Sequence, residues 1–459
     1  MSTNVTTINP ATGKEIKTYE LMTEEQTLKA VEKCHDAFTK WKATPIEERG
    51  KIIQKIGEKF KEHKEEFAQL MTEEMGKIIA HGNDELDLCA AICEYTAATG
   101  AEELADEEKE LAGGGKGIVS YSPLGVIYGI QPWNFPAYQV VRYSIVNLMA
   151  GNGILLKHAA NVTGSALKLK EIYEEAGLPK DLFTVLIIDH DVSEKIIEHD
   201  LVRGVTFTGS AGAGRKIGEQ AGKNIKKTVL ELGSNDAYIV LEDADVELAI
   251  KTCTEGRIYN NGETCVAAKR FIVVDAVYDQ FKKGFVESMN NIKLGDPTDE
   301  NTQLGPMARK DLREKIHNQV KESIENGAEV LCGGEIPEGD GYYYPSTVLG
   351  NVKPGQPAYD DELFGPVASL IKAKDQDDAM RIANDSRFGL GGGIFSKDED
   401  KAIELAQNHF DTGMVFINSF GIAQVDMPFG GVKNSGFGRE HGGFGIKEFV
   451  NAKGISILK

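Results

Sequence analysis

The sequence predicts an α/β protein with two α/β domains and a small additional β element, and three observations carry that prediction. At 459 residues the chain is longer than one ordinary hydrophobic core serves, so at least two domains are expected. From Gly125 onward, short apolar runs alternate with helical stretches, the pattern of βαβ units around a parallel sheet. A composition of 41% hydrophobic and 27% charged residues with 50 glycines is that of a folded chain rich in tight turns.

The elements follow in order. Residues 24–110 place apolar side chains at helical spacing, as in Leu28, Val31, Ala37 and Phe38, then Ile52, Ile53, Ile56 and Phe60, then Phe67, Leu70, Met71 and Met75. The cluster Gly113 to Gly115 ends an acidic run, and the next residues, 118–121, are β-rich, so the element type changes there. Strands are predicted at 125–130, 154–157, 183–188 and 205–208. A second alternating series has strands at 229–232, 238–241 and 270–274, with helices at 246–259 and 278–290. Without repeats or low-complexity linkers, the domains should share a tight interface, and the cleft between them is the expected site.

Charge and cysteine usage narrow the function classes. A formal net charge of −20 opposes binding to nucleic acid or to an anionic membrane face, which leaves small molecules as the expected partners. The apolar runs are shorter than the ~18 residues that a membrane span needs. Residues 1–16 carry no export pattern, so a cytoplasmic protein is expected. Six cysteines (Cys34, Cys89, Cys93, Cys253, Cys265, Cys332) form no CxxC pair, so neither a disulfide framework nor a zinc site is expected. Cys89 and Cys93 read as small buried apolar residues.

Four segments carry candidate chemistry. Cys265 ends Asn260-Asn261-Gly262-Glu263-Thr264-Cys265, a glycine-containing loop after a helix. A lone loop cysteine is more often packing, but its thiolate attacks an aldehyde carbon where donors hold the resulting oxyanion. Asn134 lies between Pro132 and Pro136, where its amide is a fixed neutral donor or simply the cap of a stiff turn. Glu231, between Leu230 and Leu232, is either a water-activating acid with a raised pKa or a strand-end carboxylate that reaches solvent. Thr208-Gly209-Ser210 reads as strand, glycine turn and helix start, which suits a pyrophosphate or merely close helix packing. Neither GxGxxG nor GxxxxGK[ST] occurs.

Together PWNFP, LLK, FTGS, LELGS, NNGETC, ELFGPV and PFGGVKNSGFGRE stand in the order used by the aldehyde dehydrogenase superfamily, which the chain resembles over nearly its whole length. The resemblance implies an aldehyde dehydrogenase-like fold of two Rossmann-like α/β domains plus a small β oligomerisation element. Residues 1–105 and 124–231 would form the dinucleotide-binding domain, 232–432 the catalytic domain, and 106–123 with 433–459 the oligomerisation element. It further implies that Cys265 is the nucleophile, that Asn134 and the Cys265 backbone N–H form the oxyanion hole, and that Glu231 is the base that hydrolyses a thioester. Lys157 and Glu362 match the residues that hold the two riboses, and Gly209, Ser210, Trp133 and Phe364 match the walls of the cofactor cleft. No metal is called for.

Four positions bear on selectivity. NAD-preferring members often carry a glutamate three residues after the cofactor lysine; here the residue is Ala160, so the lean is to NADP, with NAD open. Lys157-His158-Ala159 is similar to a short bacterial branch of succinate-semialdehyde dehydrogenases, and Arg142, eight residues after Asn134, matches an arginine that semialdehyde enzymes carry. Arg142 is therefore the expected clamp for a distal carboxylate, with a structural salt bridge as its other reading. Tyr259 stands where some of those enzymes have a second arginine, and Ala423 where the short branch has a serine, so both departures leave that assignment partly supported. The expectation is NAD(P)-dependent oxidation of succinate semialdehyde to succinate. The alternatives are glutarate semialdehyde, lactaldehyde or a broader range of short aldehydes, and CoA-acylating oxidation, against which Glu231 speaks. Residues 117–121 and 455–458 are candidate edge strands, which by the same resemblance would build a homodimer or homotetramer.

Overall fold

The computed structural model describes residues 3–458, and two sheets organise them. In the first, the strands Lys227–Glu231, Val202–Thr208, Val126–Gln131, Gly153–His158 and Phe183–Val185 lie side by side and parallel, in that order. The short strand Gly436–Phe437 closes the outer edge antiparallel to Lys227–Glu231. These strands are nearly continuous apolar runs because helices cover both faces. Their side chains alternate accordingly: Val126, Tyr128 and Leu155 enter one core, and Ile127, Ile154 and Leu156 the other.

The second sheet runs Glu329–Cys332, Thr347–Gly350, Val367–Ala373, Arg270–Val274, Ala237–Val240, Gly392–Phe395 and Phe416–Ile417. It is parallel apart from its first pair. It too has two cores, with Ile239, Ile272 and Ile371 on one face and Tyr238, Val240, Phe271 and Val273 on the other. The strand ending at Glu231 belongs to the first sheet and the next, from Ala237, to the second, so the sheets part between those residues.

The smaller β element is a three-stranded antiparallel sheet in which Lys116–Pro123 pairs with both Glu107–Glu110 and Val450–Ile457. Its C-terminal part begins later than residue 433. Val432–Lys433 pairs with Phe388–Gly389, Gly436–Phe437 joins the first sheet, and the helix Gly442–Glu448 buries Gly445 and Ile446. Two-residue strands carry no periodicity, so nothing in the pattern marks them.

The first sheet's chain order reverses between Val126–Gln131 and Val202–Thr208, which makes the crevice beyond their carboxyl ends the natural ligand site. Trp133, Asn134, Lys157, Gly209, Ser210 and Glu231 all stand at or just beyond carboxyl ends of this sheet. Cys265 and Glu362 come from loops that enter the second sheet at its amino ends, before Arg270–Val274 and Val367–Ala373.

The Pro132 to Pro136 segment is braced from below. Glu85, in the helix Ile79–Glu103, accepts the N–H groups of Ala137 (2.8 Å) and Tyr138 (2.9 Å) at the start of the helix Tyr138–Ala150. It is ion-paired with Lys77, whose ammonium lies 3.9 Å from the Phe135 ring centroid, and both side chains are fully buried. Removing one partner strands the other charge in the core. Lys77→Met is therefore expected to destabilise the protein by about 3–5 kcal/mol, seen as a lowered urea midpoint and Tm.

Candidate active site

Backbone geometry builds the nucleophile loop. Asn260 and Asn261 both adopt left-handed conformations (φ 52° and 57°), where asparagine is better tolerated than most residues. Gly262 follows at φ 74°, and a Cβ there would lie 2.4 Å from the Gly365 carbonyl carbon. Only glycine fits, so this contact locks the NNGETC segment against ELFGPV. Asn261 Nδ2 donates to the Gly76 and Pro306 carbonyls, and buried Arg257 donates to the Gly262 carbonyl at 2.7 Å.

Cys265 emerges from this loop half-buried among Val266, Leu390, Met414, Ile422, Ala423 and Phe429. Asn134 reaches it from the first sheet. One Nδ2 hydrogen binds the Glu263 carbonyl at 3.0 Å, and Asn260 Nδ2 returns a bond to the Asn134 carbonyl at 2.8 Å. The second Nδ2 hydrogen and the Cys265 backbone N–H have no protein acceptor among the described residues, which leaves two donors for an oxyanion. Burial pushes the Cys265 thiol up to about 11, against the opposing pull of Arg142 and Lys269.

Glu231 is 2% exposed, and neither carboxylate oxygen has a hydrogen-bond partner in the protein. Desolvation raises its pKa well above the ordinary carboxylate range, with Arg142 opposing and Glu440 adding to the rise. Its backbone is pinned by Gly436, whose Cβ would fall 1.9 Å from the Leu230 carbonyl. The reading of Glu231 as a strand-end carboxylate that reaches solvent is thus set aside.

Arg142 departs from expectation. It is 1% exposed and ion-paired through Nε with Glu440. Its Nη2 donates to Thr208 Oγ1 at 3.1 Å, and Tyr138 and Phe429 cover the guanidinium at 5.2 and 4.5 Å. The structural salt bridge is real, and an open clamp is not what the structure holds. One nitrogen, Nη1, nevertheless stays buried without a partner beside Glu231 and Cys265. Tyr259 and Ala423 are both half-buried. Tyr259 is stacked with Phe135 at 6.4 Å, and Ala423 packs in the Cys265 cluster.

Of the residues expected to wall a cofactor cleft, most stand at the carboxyl ends of the first sheet, while Glu362 and Phe364 come from the loop before Val367–Ala373. Lys157 is 8% exposed, forms no ion pair or hydrogen bond with a described residue, and lines a cavity of about 480 Å³ together with Ala160, Arg309 and Lys310. His158 fixes this edge: burial pushes it down to about 4, so it is neutral, donating from Nε2 to the Pro136 carbonyl and accepting the Ala159 N–H on Nδ1. Ser210 caps the helix Ala211–Lys223, and the Gly209 N–H binds the Glu231 carbonyl at 3.0 Å. No neighbour lies within 4 Å of a Cβ placed on Gly212, so the first turn of that helix is open to a phosphate. Trp133 and Phe364 meet edge to face at 5.8 Å. Glu362 accepts the Ser234 N–H at 3.0 Å and lies 3.6 Å from Lys269. An unpaired cation, an open helix start and a part-exposed carboxylate form a donor set that fits a dinucleotide.

Two further residues join this arrangement, neither singled out in the sequence. Lys269 donates to the Cys265 carbonyl at 2.5 Å and faces Glu362, tying the nucleophile loop to the cofactor side. Its only mark in the sequence is a pair of cations, Lys269 and Arg270, entering an apolar strand. Glu440 lies in the PFGGVKNSGFGRE segment, where an acid among glycines is the sole hint.

Comparison with known proteins agrees with this geometry. Residues 1–455 match the aldehyde dehydrogenase family model. The chain is 42% identical over 454 residues to a succinate semialdehyde dehydrogenase [NAD(P)+] of Escherichia coli (strain K12), covering 99% of this chain and 98% of that one. It is 41% identical to a succinate-semialdehyde dehydrogenase [NADP(+)] of Deinococcus radiodurans, covering 97% and 93%. Among solved structures, the succinic semialdehyde dehydrogenase of Streptococcus pyogenes in complex with NADP+ superposes with a TM-score of 0.97 at 37% identity, covering 99% of this chain and 100% of that one. A lactaldehyde dehydrogenase superposes at 0.96 with 31% identity, covering 100% and 96%. With the order of its motifs, its two facing sheets and its full-length match all in agreement, the chain belongs to the aldehyde dehydrogenase family.

Proposed function

We propose that the protein oxidises succinate semialdehyde to succinate with NADP or NAD. The observation that carries this reading is a pair of unused oxyanion donors at Cys265 together with a buried, unpartnered carboxyl group, Glu231, that shares the neighbouring Arg142 with the thiol. Cys265 gives its thiol proton to water, the thiolate Sγ forms a C–S bond to the aldehyde carbon, and the displaced electron pair settles on the oxygen held by Asn134 Nδ2 and the Cys265 N–H. A bound NADP or NAD supplies the two-electron acceptor that makes the adduct a thioester. Glu231 takes a proton from water, the resulting hydroxide attacks the thioester carbonyl, and the sulfur leaves as thiolate. Lys157 and Glu362 would hold the riboses, with Trp133, Gly209, Ser210 and Phe364 as walls.

Ala160 leaves no acid three residues after Lys157, whose ammonium is unpaired among the described residues, which supports NADP; Arg309 and Lys310 line the same cavity but are paired with Asp311 and Glu314. The names of the similar proteins support the substrate. Arg142 supports it in an altered form, because a substrate carboxylate would satisfy the orphaned Nη1. Initial rates with succinate semialdehyde, glutarate semialdehyde, lactaldehyde and propanal, each with NADP and with NAD, test the reading. Succinate semialdehyde with NADP is expected to give the highest kcat/KM. Arg142→Ala should lower its preference over propanal about tenfold or more, with Tm followed because Glu440 loses its partner. Equal rates for succinate semialdehyde and propanal, and no effect of the substitution, would overturn the substrate assignment.

The strand Val450–Ile457 leaves its outer edge unpaired among the described residues, and Ile455, Ile457 and Leu458 are 41, 52 and 77% exposed. That edge supports pairing with a second copy, in a homodimer or homotetramer. All six cysteines are free thiols, and the chemistry needs Cys265 reduced, which supports a cytoplasmic setting.

A further inference from the structure

His81 stands against the loop that carries Cys265, where it meets the Asn260 N–H. It belongs to the first turn of the helix Ile79–Glu103, is half-buried, and stacks on Tyr259 with ring centroids 4.2 Å apart. Tyr259 in turn faces Phe135, the neighbour of Asn134, and Phe420 at 6.2 Å. Ile422 and Ala423 border both the core that Tyr259 packs against and the surroundings of Cys265.

Its protonation follows from its partner. The Asn260 N–H points at His81 Nδ1 at 3.2 Å, and a backbone N–H only donates, so Nδ1 accepts. The left-handed turn at Asn260 and Asn261 fixes that direction. The ring's one proton then resides on Nε2, which binds no described residue and is not sealed from solvent. Burial, with Lys77 nearby, pushes His81 down to about 3, so the ring stays neutral throughout the working pH range.

We infer that His81 is a specificity-determining residue, its Nε2–H a fixed neutral donor for the distal carboxylate of an ω-oxo acid entering toward Cys265. The inference rests on the proposed aldehyde oxidation. A neutral donor suits this place because it binds a carboxylate without burying another cation; the nearby Lys77 ammonium is already paired with Glu85, and Asp84 and Glu85 face Tyr259. It also adds a polar contact where Tyr259 and Ala423 depart from the pattern of related semialdehyde enzymes.

The test separates the two ring nitrogens. His81→Asn places an acceptor near Nδ1 for the Asn260 N–H and removes the ε donor, whereas His81→Gln restores a donor at the ε position. For His81→Asn, kcat/KM with succinate semialdehyde is expected to fall about tenfold, mainly through KM, with butanal changed less than about twofold. His81→Gln should recover part of the loss. If both substrates fall together, the residue serves only the loop, and if neither changes it has no role in selection; either result overturns the inference. A wild-type enzyme that oxidises butanal as well as succinate semialdehyde overturns it too, with aldehyde oxidation intact. Oxidation of neither substrate removes the functional reading beneath it.

Discussion

Replacing Cys265 with alanine is expected to lower kcat/KM by about 10⁴-fold or more, since no other described thiol or hydroxyl is known to share its two oxyanion donors. Cys34, Cys89, Cys93 and Cys253 are buried in helices packed into the cores, and Cys332 ends a strand at the far edge of the second sheet. The loop should survive the change, because Asn260, Asn261, Gly262 and Arg257 hold it through bonds that do not use the sulfur. Tm and cofactor affinity are thus expected to stay near wild type while turnover disappears. The thiol itself has a pH signature. With its pKa pushed up to about 11 in the free protein, only about one thiol in 10⁴ is ionised at pH 7. Alkylation of Cys265 by iodoacetamide should therefore rise about tenfold per pH unit up to that region. A flat profile would mean that Arg142 and Lys269 outweigh desolvation. Retained turnover in Cys265→Ala would remove the nucleophile assignment altogether.

The legible and illegible parts of this protein differ in a physical way. The parallel strands can be read from sequence because they are buried on both faces, so runs such as 126–130 and 270–274 stand out as continuous apolar segments. Cys265, Asn134 and Glu231 are legible because each sits in a segment whose glycines or prolines answer a backbone demand, as Gly262 does against Gly365. What cannot be read is partnership at long range. Nothing near Arg142 in the sequence shows that Glu440 occupies its Nε, and nothing near Cys265 shows that Lys269 bridges to Glu362. The two-residue strands around Val432 and Gly436 are invisible for a related reason, since they exist only by pairing with distant segments.

The Glu231→Gln variant should separate the two halves of the reaction. Glutamine keeps the size of the side chain but cannot take a proton from water, so the thioester should form and then persist. One equivalent of reduced cofactor per active site is expected in a rapid burst, followed by steady turnover lowered by about 10²–10⁴-fold. Stability should not fall, because the carboxyl group makes no hydrogen bond in the fold and its burial already favours the neutral form. The sign of the pH dependence follows from that raised pKa. Glu231 acts as a base only when ionised, so wild-type hydrolysis should climb with pH through a limb lying well above the ordinary carboxylate range, and the variant should lose that limb. Adding CoA decides who resolves the thioester. If water does, as the buried Glu231 argues, wild-type turnover is independent of CoA. If wild-type turnover required CoA and Glu231→Gln left it unchanged, CoA-acylating oxidation would replace hydrolysis, and the base would lose its role while Cys265 kept its own.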